Sequence, residues 1–117
     1  SRHAADTLFA VLEGQAELQP LVMRSTDRGA SWISLAAGLP AEPANTLVED
    51  PRSAEILYLG TDLGVFVTVD GGTSWHVLGQ GLPTAAVVDL ALHARDLVLV
   101  AATHGLSVFT LSVQSLR

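Results

Sequence analysis

The chain has 117 residues, 49% of them hydrophobic and 15% charged, which is enough for one domain with a real core and excludes disorder. A formal charge of −6 argues against nucleic acid and anionic membrane as partners, because both need a basic footprint. Cysteine is absent, which removes a disulfide framework, a thiolate nucleophile and a cysteine-ligated zinc, and leaves the compartment open.

In chain order, residues 7–12 read as a strand, 13–20 as a long connection, 21–25 and 32–35 as further strands. A short strand follows at 46–49, then a turn over 50–54 in which Pro51 fixes φ after Asp50. Strands at 56–61, 65–69 and 75–78 are separated by turn formers at 62–63 and 71–72, the pattern of hairpins. Strands at 87–92, 97–102 and 106–111 complete a count of about ten. Residues 56–59 and 97–102 are apolar without alternation, which predicts strands buried on both faces. A two-layer sandwich would alternate more cleanly. No segment carries apolar residues at helical spacing over three turns. There is no run of about 18 apolar residues to span a membrane, and no signal peptide is visible. The chain opens on Ser1, so the expectation is of a processed or trimmed chain, or a piece of a longer one.

Two sequence markers repeat with one period. Residues 25–32, Ser-Thr-Asp-Arg-Gly-Ala-Ser-Trp, are echoed by 68–75, Thr-Val-Asp-Gly-Gly-Thr-Ser-Trp, with Asp27 and Asp70 43 residues apart. Gly38-Leu39-Pro40 returns as Gly81-Leu82-Pro83 at the same 43-residue spacing. That period, made of short apolar runs, predicts an all-β fold: a partial β-propeller of four-stranded antiparallel blades. The expected units are 1–37 (strands B, C and D), 38–80 (complete) and 81–117 (strands A, B and C). A third motif Asp falls due at Val113, where the repeat decays.

The repeated motif resembles the Asp-box, or BNR repeat, S-x-D-x-G-x-T/S-W. The matching residues are Ser25, Asp27, Gly29, Ser31 and Trp32, then Thr68, Asp70, Gly72, Ser74 and Trp75. Asp-boxes occur in sialidases, xyloglucanase-type glycoside hydrolases, sortilin-type receptors and photosystem assembly factors. The wording from Leu57 to Phe66 is most similar to the xyloglucanase and sortilin side of that group. The resemblance implies hairpins that lie away from the ligand face.

The residues themselves predict a structural role for the motif. A carboxylate at Asp27 or Asp70 can accept backbone N–H groups of its own turn. Gly29 and Gly72 suit a positive φ. The hydroxyls of Ser31 and Ser74 can satisfy further turn groups, and each Trp is expected to bury its ring under the hairpin. Strand alternation puts the A–B and C–D turns on one face and the B–C and D–A connections on the other. Ligand-facing candidates therefore come from the second face: Glu13 and Glu17 in the long loop, Asp62 and His104 at turns, and Asp89 on an inner strand. Each has a duller reading as a local turn or solvated group. Function concentrates on long loops, which favours 13–20 as a recognition element. Glu49 and Asp50 fall on the other face and read as turn residues.

The four histidines, His3, His76, His93 and His104, lack zinc-ligand spacing, so neither a metal nor another cofactor is expected. A sialidase needs an arginine cluster and a tyrosine nucleophile, but the single tyrosine, Tyr58, sits in an apolar strand, and Arg28, Arg52 and Arg95 are on the hairpin face. A glycosidase needs two carboxylates at a set separation, and Asp62 and Asp89 do not form a convincing pair. In the xyloglucanase-like enzymes the cleft lies between two propellers, so part of one propeller would not act alone. The expectation is a non-catalytic scaffold or binding module for a glycan or protein, the alternative being part of a glycoside hydrolase. Since propellers have about four to eight blades, the chain should associate with copies of itself or with the rest of a parent propeller. Two copies of about three blades each would make a ring of about six.

Overall fold

Apolar strands punctuated by Gly, Asp and Pro turns fold here into three antiparallel sheets. The computed structural model describes residues 3–12, 21–35, 44–62, 64–78, 86–93, 95, 97–103 and 108–113. The first sheet holds β1 (Leu8–Leu12), β2 (Leu21–Ser25) and β3 (Ile33–Ser34), in that order. The central sheet holds β4 (Ala44–Glu49), β5 (Leu57–Thr61), β6 (Gly64–Thr68) and β7 (His76–Leu78). The third holds β8 (Val87–His93), β9 (Val98–Thr103) and β10 (Val108–Ser112). Among the described residues there is no helix. Each sheet is a simple meander, so consecutive strands are neighbours.

The central strand β5 explains why its sequence does not alternate. Leu57 and Leu59 point into one apolar cluster, with Val22, Leu35, Ala44, Phe66 and Trp75, against the first sheet. Tyr58 points the other way, into a second cluster with Ile56, Val65, Val67, Val87, Leu90 and Leu99, against the third sheet. Every residue of β5 is buried. The two neighbours of the central sheet thus lie on its opposite faces. At each inner strand the register slips by one residue at the same place: Asn45 is skipped between Ala44 and Thr46, and Val88 between Val87 and Asp89. Such bulges bend a strand and re-aim the side chain it skips.

Gly60 sets how closely the second seam can pack. A Cβ there would lie 2.7 Å from the Thr46 methyl and 2.8 Å from Val87 Cγ1 of the third sheet. The outer flanks are open by contrast: Leu8 is 40% exposed on the first sheet and Val108 62% on the third. Strand β10 alternates exposed and half-buried residues, as a strand covered on one side only must.

Candidate functional site

The two repeated hairpins, between β2 and β3 and between β6 and β7, are built by the same bonds. Ser25 Oγ donates to Asp27 Oδ1 at 2.8 Å and accepts from Gly29 N at 2.7 Å. Ser31 donates to Asp27 twice, from its N at 2.8 Å and from its Oγ at 2.5 Å. In the second copy Thr68 Oγ1 donates to Asp70 Oδ1 at 2.7 Å and accepts from Gly72 N at 3.0 Å. Ser74 donates its N at 3.0 Å and its Oγ at 2.6 Å to Asp70. The hydroxyls of Ser31 and Ser74 therefore serve the carboxylate rather than other turn groups. Gly29 and Gly72 have φ of 94° and 99°, where a Cβ would be strained.

These bonds favour the ionised carboxylate. The Ser31 hydroxyl, then the Ser31 N–H, then the Ser25 hydroxyl bring Asp27 down to about 2. Asp70 is held well below the usual carboxylate range by the hydroxyls of Ser74 and Thr68 and then by the Ser74 N–H. Because the folded values lie below the unfolded value of about 3.9, their stabilisation is complete above that pH and is lost as pH falls through the folded value. An acid titration followed by circular dichroism should lose stability below about pH 4. Asp27→Asn and Asp70→Asn should each flatten that slope and lower the melting temperature at neutral pH.

The tryptophans separate what the hairpins share. Trp75 is 7% exposed and donates Nε1 across the seam to Leu35 O at 2.8 Å. Trp32, expected to bury its ring in the same way, is 38% exposed and donates Nε1 to Gly29 O of its own hairpin at 3.1 Å. The reason is that the described residues place a sheet in front of the central hairpin and none in front of the first.

On the same end of the molecule sits a node with no obvious sequence signature. Asp50 is fully buried, and its carboxylate accepts from Arg52 N at 2.7 Å, Arg52 Nε at 3.0 Å, Arg52 Nη2 at 2.8 Å and the Tyr58 hydroxyl. Arg52 Nη2 also reaches Val113 O at 2.7 Å, and His3 Nε2 lies 2.7 Å from Asp50 O. The Asp50–Arg52 turn thus ties segments flanking all three sheets, through the Asp50 carbonyl to His3, the Asp50 carboxylate to Tyr58 and the Arg52 guanidinium to Val113. Burial alone would raise Asp50, but the bonds from Arg52 and Tyr58 outweigh it and hold it below its ordinary value. Burial, then the bond to Asp50, pushes the Tyr58 phenol far above its ordinary value. Tyr58 is therefore a packed structural group and not a nucleophile. The available hint was a single hydroxyl in an otherwise apolar run, with an Asp eight residues before it.

At the opposite end, the bulged Asn45 donates Nδ2 to Asp62 Oδ1 at 2.9 Å and to Val87 O at 3.0 Å, crossing the second seam. Sequence reasoning singled out Asp62 but not its partner Asn45. Asp89, opposite Ala102 on β8, is exposed and accepts from Leu90 N at 3.0 Å. Glu13, Glu17 and His104 lie outside the described residues. Among the described residues no three His, Cys, Asp or Glu side chains are grouped to hold a metal ion.

A cleft of about 120 Å³ lies between the first two sheets at the hairpin end, lined by His3, Thr7, Phe9, Arg24, Thr26 and Glu49. It falls short of the roughly 300 Å³ at which small-molecule pockets begin. Arg24 Nε is buried there without a hydrogen-bond partner, while its Nη1 reaches Gly71 O at 3.4 Å.

Three face-to-face meanders, the first two carrying the same hairpin 43 residues apart, define the chain as a partial β-propeller. Solved structures that it resembles include β-propeller enzymes. A GH74 xyloglucanase from Xanthomonas campestris aligns with 94% of the chain at 18% identity and a TM-score of 0.71. A GH74 enzyme from Niastella koreensis aligns with 97% at 18% identity and a TM-score of 0.77. An ancestral GH74 enzyme aligns with 92% at 16% identity and a TM-score of 0.67. The chain spans 20%, 19% and 16% of those three proteins, and at these identities the likeness carries the fold alone. No protein-family model matches the chain, and no curated protein does.

Proposed function

We propose that the chain is a length of propeller wall, a non-catalytic scaffold or binding module that presents its B–C and D–A loops to a glycan or protein partner. In this reading the Asp27 and Asp70 hairpins are Asp-boxes of the BNR type, spent on holding each blade's outer turn. The ring is completed by the rest of a larger propeller or by self-association. The observation that supports a non-catalytic role is the engagement of the acids. Asp27 and Asp70 are bonded within their turns, Asp50 is locked to Arg52 and Tyr58, and Asp62 is bonded by Asn45.

A second reading, part of a glycoside hydrolase of the xyloglucanase or sialidase-like type, is favoured by the fact that the three solved structures named above are GH74 enzymes. Xyloglucan hydrolysis by a protein carrying the whole propeller separates the two. Asp62→Asn and Asp89→Asn should leave any turnover unchanged. A fall of about 100-fold or more in either variant, the size of a lost acid or base, would transfer support to the second reading.

A further inference from the structure

The internal seam between the first and central sheets is a template for what covers the first sheet's other face. Leu57 and Leu8 occupy the same register position, opposite Thr68 and Ser25. Leu57 is fully buried against the first sheet, whereas Leu8 is 40% exposed. The central hairpin receives a specific knob: a Cβ on Gly72 would come within 3.0 Å of Leu35 Cδ2 and 3.1 Å of Leu35 Cβ, and Trp75 Nε1 bonds the carbonyl of that same leucine. At the first hairpin, among the described residues, Gly29 has Leu8 Cδ1 and the Trp32 ring near its missing Cβ, each at 3.7 Å. Trp32 Nε1 is turned back onto Gly29 O.

We infer that the Leu8–Gly29–Trp32 face is the docking surface for a further four-stranded blade lying outside this sequence. That blade's last strand inserts a leucine-sized apolar side chain beside Gly29 and offers its carbonyl to Trp32 Nε1. The indole then switches from Gly29 O to the incoming carbonyl and becomes buried as Trp75 is. The inference rests on the propeller-wall reading and deepens it by naming the kind of neighbour. A second copy of this chain fits less well. Leu78, the residue one period after Leu35, already packs on the seam to the third sheet. The third sheet's described strands are three, β8 to β10, so it offers no such last strand among the described residues.

The chain has two tryptophans, so labelling them with nitrogen-15 gives two indole N–H signals whose hydrogen exchange can be followed separately. In the isolated chain at low micromolar concentration, Trp75 should exchange slowly and Trp32 fast. In a longer protein that carries this sequence with its flanking segments, Trp32 should slow by about 100-fold or more. There Trp32→Phe should lower the melting temperature, while in the isolated chain only Trp75→Phe should. Fast exchange of Trp32 in the longer protein would overturn the inference. So would Trp32 protection that grows with concentration in the isolated chain, which would make a second copy the occupant. Either failure is distinct from that of the scaffold reading, which is judged by xyloglucan turnover.

Discussion

Asp50→Ala should destabilise the chain by about 3 kcal/mol, measured by chemical denaturation. That is the lower end for a broken buried pair, because the Arg52 side chain keeps 27% of its exposure while Asp50 has none. The substitution leaves the Tyr58 hydroxyl buried without its acceptor and frees Arg52 from the geometry in which it reaches Val113 O. It should therefore loosen the second seam as well as the turn. Tyr58→Phe removes one bond and keeps the packing, so its cost should be nearer 1 kcal/mol. A cost for Asp50→Ala below that of Tyr58→Phe would mean that the node is not held as described.

Trp75→Ala should cost about 3–5 kcal/mol, the range for deleting a large ring from a packed core. The ring lies among Val22, Leu35, Leu57 and Phe66, and its loss also orphans the Leu35 carbonyl. Trp32→Ala in the same chain should cost no more than about 1 kcal/mol, since that ring is 38% exposed and bonds only within its own turn. Equal costs for the two would contradict the asymmetry between an occupied and an open hairpin.

The strands were legible because their signals are local. Apolar runs bounded by Asp, Gly and Pro place β5, β6 and β9 within a residue or two of where they form. The uniformly apolar stretch at β5 told correctly of burial on both faces, because a side-chain period of two lets one strand feed two clusters. What the sequence hid depends on pairing or on neighbours. The bulges at Asn45 and Val88 arise from strand register, which no single strand encodes. The Asp50 node needs three segments brought together, and a turn position masks it. Trp32 and Trp75 close the same motif, and what stands in front of each hairpin separates them.

The central claim is that adjacent sheets stack face to face as neighbouring blades, and the absence of cysteine makes it directly testable. A Cβ at Gly60 would lie 3.3 Å from Val87 Cβ, within a few tenths of the roughly 3.5–4.5 Å that a disulfide spans. Gly60→Cys and Val87→Cys, combined with Thr46→Ala to clear the methyl 2.7 Å away, should close an intramolecular disulfide under mild oxidation. Quantitative formation of that bond within single chains is the predicted result. Thiols that stay titratable, or that link only between molecules, would contradict the stacked-blade arrangement.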